Sequence, residues 1–234
     1  MHQVLQSPSE STYQDSPYDA DMTLRGVITD WGGVLTCPLG EATTRWLATE
    51  RIDSSTYRDV MRSWFIGAYD GAGAGNLIHR LEDGSLEPGE FERLLAAELR
   101  MLDGGPVAPS GLLERMFAEF DPVEQMYDAL RSCRSHGFQT ALLSNSWGNT
   151  YPRDRWTGLF DAIVISGEVR MRKPAPEIFH HALNALGLEA AQCVFIDDVA
   201  QNIEAAERLG MVGLHHTDHE TTRASLSSLL GVDL

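Results

Sequence analysis

Three aspartates, a serine and the single lysine of this 234-residue chain are the residues whose types and placement could perform chemistry. Asp30, Ser144 and the pair Asp197 and Asp198 each follow a short apolar run, and Lys173 lies in a loop before a helix that begins with proline. Carboxylates that lie close together repel one another unless a cation neutralises them, and ligand sets made only of oxygen suit Mg²⁺. A carboxylate, a hard cation and an ammonium group are the components of nucleophilic attack on a phosphoryl group.

Each of these residues, taken singly, has a simpler explanation. An aspartate after a strand is most often a turn or helix-capping residue, and Ser144 with Asn145 is a common turn pair. A lysine before a proline is normally a solvated surface residue. The hypothesis of a functional site therefore depends on all of these residues together, which occur in this order at four positions linked to strands.

The apolar runs that would position these residues predict a parallel sheet. The predicted strands are residues 24–29, 140–143, 162–165 and 193–196, with 213–215 as a weaker fifth. Helical patterns lie between the later strands, at residues 123–136, 176–186 and 199–209. Because alternating strands and helices are typical of a doubly wound sheet, we predict an α/β fold with helices on both faces. Ligands of such sheets bind beyond the carboxyl ends of the strands, where the polar residues stand.

A second pattern interrupts this alternation after the first strand. Residues 41–120 show helical periods at 43–50, 57–69, 89–102 and 112–120 and contain no convincing strand, which predicts an inserted all-helical unit. Residues 1–22 are rich in Ser, Gln, Asp and Tyr without an apolar period, and we expect them to form a disordered arm. The predicted division is an α/β core over residues 23–40 and 121–234, with the helical unit between them.

The overall composition excludes several classes of protein. The formal net charge of -16 disfavours binding to nucleic acid or anionic lipid. No run of eighteen apolar residues and no signal-peptide layout is present, so we expect a cytoplasmic protein without a membrane partner. Three widely separated cysteines argue against disulfides and against a thiolate zinc site. The sequence is compatible with a monomer and with a homodimer.

Four stretches of the sequence carry a resemblance to a known family. They are Val-Ile-Thr-Asp-Trp-Gly-Gly-Val-Leu-Thr at 27–36, Leu-Leu-Ser-Asn at 142–145, Arg-Lys-Pro-Ala-Pro-Glu-Ile-Phe at 172–179 and Val-Phe-Ile-Asp-Asp at 194–198. In order and spacing they resemble the four motifs of the haloacid dehalogenase superfamily, over roughly residues 24 to 220. The helical insert resembles the cap of that superfamily, and residues 81–84 followed by Phe91 are similar to its usual loop-helix region.

The resemblance implies an Mg²⁺-dependent phosphatase that acts on a small phosphorylated metabolite. Asp30 would be the nucleophile that forms an aspartyl-phosphate, while Ser144 and Lys173 would hold the phosphoryl oxygens. The implied metal ligands are Asp30, the carbonyl of Gly32, Asp197 and Asp198. The resemblance also places Asn145 near the phosphate and Asn202 as a brace for the acid pair.

Two tryptophans stand close to these motifs. Trp31 directly follows Asp30, and Trp147 lies three residues after Ser144. We therefore name both, with Asn145, as candidate substrate contacts, although a tryptophan in such a loop is at least as often a packing residue.

Gly32 departs from the usual pattern of the resembling phosphatases, which carry a second aspartate there as general acid and base. Loss of a general acid can cost about 10² to 10⁴ in rate. Three interpretations remain: a phosphatase for good leaving groups such as sugar 1-phosphates or acyl phosphates, a phosphatase with another proton carrier, or a protein without turnover. A small sub-branch that resembles sugar-1-phosphate phosphatases also has Asp-x-Gly at this position, which favours the first.

Two other functions compete with the phosphatase hypothesis. A 2-haloacid dehalogenase would use the same aspartate without a metal, and the extra carboxylates of Asp197 and Asp198 would hinder that reaction. A non-enzymatic protein that binds a phosphometabolite or a partner is kept open by Gly32. Likeness of fold alone does not choose among these functions.

Overall fold

A parallel sheet of five strands forms the centre of the protein. The computed structural model describes residues 23–69, 76–148 and 150–234, with side chains at 65–69 left undescribed. The strands are β1 (Gly26–Thr29), β2 (Gln139–Ser144), β3 (Ala162–Ile165), β4 (Cys193–Asp197) and β5 (Val212–His215), in the order β3-β2-β1-β4-β5. All four pairings are parallel. The predicted α/β fold and all five predicted strands are therefore confirmed.

Helices cover both faces of the sheet because the strand side chains alternate between the faces. Ile28, Leu143 and Phe195 pack on one face against α8 (Pro176–Leu186) and α9 (Ala200–Arg208). Val27, Leu142 and Val194 pack on the other face against α6 (Glu124–Ser135) and α10 (His219–Leu230). A single-turn helix, α7 (Ser166–Val169), follows β3 directly.

Five further helices lie in sequence between β1 and α6, and we call them together the helical region. They are α1 (Leu39–Thr49), α2 (Ser54–Tyr69), α3 (Leu77–Glu82), α4 (Pro88–Glu98) and α5 (Leu112–Phe117). Their apolar faces build a core of their own around Trp46, Phe91 and Leu112. The predicted boundaries of this unit at residues 41 and 120 stay a prediction.

The two connections between the sheet and the helical region run side by side. The Cys37 amide donates to the Asp121 carbonyl at 2.8 Å, and the Val123 amide donates to the Leu35 carbonyl at 3.0 Å. Because β1 ends at Thr29 and this crossing begins at Leu35, the helical region begins near the carboxyl edge of the sheet's middle strand.

The structure differs from the sequence prediction in several elements. α3 and α10 were not predicted, and α4 ends at Glu98 rather than at residue 102. The three cysteines are free and buried. The predicted arm at residues 1–22 lies outside the described residues. No helix among the described residues is long and apolar enough to cross a bilayer.

Candidate active site

Asp30 and Asp197 lie next to each other because their strands are paired. Thr29 of β1 is in register with Ile196 of β4, so the following residue on each strand emerges at the same edge. The Asp30 amide donates to the Ile196 carbonyl at 2.8 Å, which continues the pairing by one residue. Both side chains are buried, and Asp197 is fully so.

The Lys173 ammonium group lies between these two carboxylates. Its Nζ is 2.6 Å from Asp197 Oδ2 and 3.1 Å from Asp30 Oδ1, and the side chain is 1% exposed. The Trp31 amide also donates to Asp30 Oδ1, at 2.7 Å. Asp197 is fixed from the other side by the Asn202 amide, which lies 3.1 Å from both of its oxygens. The resemblance implies that Asn202 braces the acid pair, and in the structure its side chain contacts Asp197 of that pair.

Burial changes the protonation of this cluster. It raises the pKa of Asp30 to about 7, since the attraction of Lys173 is opposed by the neighbouring charges of Asp197 and Asp198. Burial and the charge of Asp197 also raise the pKa of Asp198. Burial alone would lower the pKa of Lys173, but the carboxylates of Asp197 and Asp30 outweigh it and the pKa lies above its usual range. The lysine is therefore a permanent cation.

Three carboxylates in this cluster could hold a metal ion. One oxygen from each of Asp30, Asp197 and Asp198 lies within 4.8 Å of the others. When ionised they carry three negative charges against the single positive charge of Lys173, which leaves an excess of two. A divalent cation would balance this excess, and an all-oxygen donor set suits Mg²⁺.

Gly33 allows Asp198 to approach the first motif. Its φ is 75°, and a Cβ built there would lie 2.2 Å from Asp198 Oδ2. Any side chain would thus displace the third carboxylate, and the positive φ adds backbone strain. Gly32 behaves differently: a Cβ there meets nothing within 4 Å, and its φ lies outside the left-handed region.

The second strand contributes a hydroxyl and an amide to the same edge. Ser144 is buried at the end of β2, and its Oγ accepts a hydrogen bond from the Tyr151 hydroxyl at 3.0 Å. The Asn145 side chain donates to the Lys173 carbonyl at 3.0 Å and accepts from the Lys173 amide at 2.9 Å. Asn145 therefore fixes the loop that presents the lysine.

One cavity joins the predicted site residues. Its volume is about 170 Å³, and the predicted residues that line it are Asp30, Trp31, Gly32, Ser144, Asn145, Trp147, Lys173, Asp198 and Asn202. Asp197 lies beneath it, bonded to Lys173. A larger cavity of about 730 Å³, on the surface of the helical region, is lined by none of these residues.

Several cavity residues were not identified from the sequence. Phe117, Phe120 and Tyr151 line it, and so does Glu82, which pairs with Arg172 at 2.6 Å. Tyr151 follows the second motif by only six residues, which is the signal that could have identified it. Glu82 lies in the stretch 81–84 that resembles the cap's loop-helix region, although it was not named there as a site residue, whereas Phe117 and Phe120 lie far from every motif and reach the cavity only through tertiary packing.

Comparison with known proteins gives a consistent set of relatives. The family model described as a haloacid dehalogenase-like hydrolase matches residues 24–210. The sesquiterpene phosphatase astK of Aspergillus oryzae is 31% identical over 65% of this chain and 78% of its own. Two further curated relatives are much longer, and the chain spans 19% and 40% of their lengths.

Solved structures share the fold. A predicted HAD-like family hydrolase from Porphyromonas gingivalis has a TM-score of 0.64 with 21% identity, over 89% of this chain and 98% of that one. A HAD family enzyme from Bacteroides thetaiotaomicron, in complex with magnesium and inorganic phosphate, has a TM-score of 0.59 with 22% identity, over 83% of this chain and 94% of that one.

The raised pKa of Asp30 predicts a pH-dependent effect of its charge on stability. The usual pKa is 3.8 and the folded value is about 7, so between these values the folded state keeps a proton that the unfolded state releases. Ionisation therefore destabilises the metal-free fold as the pH rises through this window. We expect Asp30→Asn to raise the melting temperature of chelator-treated protein at pH 8 by about 2–4 °C per kcal/mol gained.

The measurement is a thermal melt of both proteins at pH 5 and pH 8. The increase in the melting temperature of Asp30→Asn over the wild type should be smaller at pH 5, where most Asp30 side chains are already protonated. Asp128→Asn, at an exposed surface ion pair, is the control and should change neither value. A lower melting temperature of Asp30→Asn at pH 8 would show that Lys173 stabilises the carboxylate more than burial disfavours it.

Proposed function

The chain belongs to the haloacid dehalogenase-like hydrolases, and we propose that it is an Mg²⁺-dependent phosphatase that hydrolyses a small organic phosphate through an aspartyl-phosphate on Asp30. The observation that carries the proposal is the buried cluster of three carboxylates around a single lysine. The phosphatase name of the Aspergillus relative and the magnesium and phosphate bound by the Bacteroides neighbour support it.

Asp30 is the nucleophile in this proposal. One of its oxygens attacks the phosphorus atom while the bond from phosphorus to the alcohol oxygen breaks. Water then attacks the aspartyl-phosphate, which releases inorganic phosphate and restores the carboxylate. The hydrogen bonds from Trp31 and Lys173 to Oδ1 fix the orientation of the nucleophile before the substrate arrives.

Asp30, Asp197, Asp198 and the carbonyl of Gly32 would hold Mg²⁺. When bound, the cation supplies positive charge that keeps Asp30 ionised at neutral pH and stabilises the charge of the phosphoryl group. The pKa values of Asp30 and Asp198 are raised in the metal-free cluster, and the positive charge of the cation would lower them.

Ser144 and Lys173 would hold the phosphoryl oxygens. Tyr151 donates to Ser144 Oγ, so the serine's own hydrogen is left to donate. The ammonium group of Lys173 has three N–H donors, of which Asp30 and Asp197 take two. Asn145 acts by positioning the lysine, while Trp31 and Trp147 contribute walls of the substrate cavity.

Gly32 makes the reaction depend on the leaving group. Without an acid at this position, the departing oxygen leaves as an anion or takes its proton from water. Substrates with acidic alcohols, among them aryl phosphates and sugar 1-phosphates, should therefore react faster than ordinary alkyl phosphates. The alternative is a catalytically impaired protein that binds phosphate without hydrolysing it.

The first test of this function is Asp30→Asn. An amide of nearly the same shape cannot act as the anionic nucleophile, so we expect kcat for phenyl phosphate to fall by roughly 10⁴ to 10⁶ while the fold stays intact. Asp128→Asn serves as the matched control. Activity of Asp30→Asn equal to that of the wild type would remove Asp30 from the mechanism.

The second test concerns the metal. We expect a chelator to abolish hydrolysis and Mg²⁺ to restore it. In calorimetry Asp198→Asn should bind Mg²⁺ at least about tenfold more weakly than the wild type, since one of three carboxylates loses its charge. Equal affinity in the two proteins would place the metal elsewhere, and Asp128→Asn reports any general effect of removing one acid.

The third test adds an acid at Gly32. The open space and permissive backbone there allow an aspartate without strain. We expect Gly32→Asp to raise kcat/KM for alkyl phosphates by about 10² to 10⁴ and to leave aryl phosphates much less affected. Gly32→Asn, which has the same shape and no acid, is the control.

The measurement is a series of phosphate monoesters graded by the pKa of the leaving alcohol, with Mg²⁺ saturating. The wild type should show a steep dependence and Gly32→Asp a shallow one. A shallow dependence in the wild type would mean that another residue already donates the proton.

A further inference from the structure

Aromatic and apolar side chains form a wall of the cavity that contains the proposed nucleophile. Its members are Trp31, Met116, Phe117, Phe120, Trp147 and Tyr151. Met116 and Phe117 come from α5 of the helical region, and Phe120 lies shortly after the end of that helix. Asp30, Asp198 and Lys173 lie in the same cavity and form its charged part. The cavity thus has a charged part that suits a phosphoryl group and an apolar part that is left for the alcohol.

The aromatic rings of this wall support one another. Trp31 stacks on Phe117 and Phe120 with ring centroids 5.8 and 5.6 Å apart, and Tyr151 contacts it edge-on at 5.0 Å. Trp147 packs edge-on against the buried Phe91 at 5.6 Å. Because the rings pack against one another and against the buried Phe91, the protein's own contacts hold the wall in place, and binding should require little reordering of it.

The described polar groups that line the cavity are mostly bonded to other parts of the protein. The carboxylate of Glu82 pairs with Arg172 and accepts a hydrogen bond from Trp147 Nε1 at 3.4 Å. The side-chain amides of Asn145 and Asn202 donate to Lys173 and Asp197. Hydroxyl groups of a sugar would lose water here and find few replacement partners, which is costly.

Charge also limits the substrate. Lys173 is the one cationic residue among the described residues that line the cavity, and it is already shared by two carboxylates. A second phosphate or a carboxylate on the substrate would therefore find no further cationic side chain in this lining, since Arg172 is already paired with Glu82. The alcohol part of the substrate should be neutral.

We propose that the substrates are phosphate monoesters whose alcohol is neutral and apolar, with a ring or branched hydrocarbon next to the phosphate. This rests on the proposed phosphatase function and narrows it, because it selects aryl esters over sugar 1-phosphates among the good leaving groups. The cavity of about 170 Å³ includes the charged part that would hold the phosphoryl group, so the hydrocarbon next to the phosphate should be compact. Phe117 and Phe120 are the residues that determine this specificity.

The test compares 4-ethylphenyl phosphate with 4-(hydroxymethyl)phenyl phosphate. The two esters have the same shape and phenols of similar acidity, so leaving-group chemistry does not separate them. We expect kcat/KM to favour the ethyl compound by about 10- to 100-fold. Equal values, or a preference for the hydroxymethyl compound, would overturn the inference and leave the phosphatase function standing.

Binding of the corresponding phosphonates, which cannot be hydrolysed, keeps the test independent of turnover. In calorimetry with Mg²⁺ present, 4-ethylphenylphosphonate should bind about tenfold or more tightly than its hydroxymethyl counterpart. If neither ester is hydrolysed and this ratio is still observed, the proposed activity fails and the inferred ligand class stands. If both phosphonates bind equally, the inference fails whatever the activity.

Two variants of Phe120 test whether the apolar wall causes the preference for the ethyl compound over the hydroxymethyl compound. Phe120→Ser should reduce the ratio between the ethyl and hydroxymethyl compounds by about tenfold, while Phe120→Leu should keep most of it because the surface stays apolar. Thermal melts show whether each variant folds, and the phosphonate ratio is read only on folded protein. A full ratio in folded Phe120→Ser, repeated in Phe117→Ser, would show that this wall does not select the substrate.

Discussion

The ammonium group of Lys173 between Asp30 and Asp197 is the interaction on which the remainder of the site depends. Removing a lysine from water is expensive unless opposite charge surrounds it, and here the carboxylates lie at 2.6 and 3.1 Å. The same burial disfavours the carboxylates, and one cation cannot balance three of them. Lys173 therefore neutralises the cluster only in part. A metal ion would balance the negative charge that remains.

The order of the strands makes this cluster possible. β1 lies in the middle of the sheet, between β2 and β4, so the residues that follow these three strands meet at one edge. Register then brings Asp30 beside Asp197, and Asn145 at the end of β2 binds the backbone of Lys173 through two hydrogen bonds. The lysine comes from a loop, and both its backbone and its ammonium group are bonded, which fixes its position.

The sequence predicted the sheet, and the polar residues at the ends of its strands, better than it predicted the residues that line the cavity. The strands were identifiable because each is a short apolar run followed by a polar residue, and Asp30, Ser144 and Asp197 stand at those ends. α10 was missed because only Thr222 and Leu226 of its twelve residues are buried, so it has little apolar period. The wall residues Phe117 and Phe120 were beyond prediction, since their position over the cavity depends on how the helical region packs against the sheet.

The apolar wall and the glycine at position 32 have linked consequences for chemistry. An apolar surface excludes water, which strengthens the attraction between the phosphoryl group and the charges around Asp30. Exclusion of water also removes a source of protons for the departing alcohol, and Gly32 supplies none in its place. In the proposed reaction the alcohol itself would then have to be stable as an anion. An aromatic alcohol would meet both demands of the proposed reaction, because its ring would pack against the wall and would spread the negative charge of the departing oxygen.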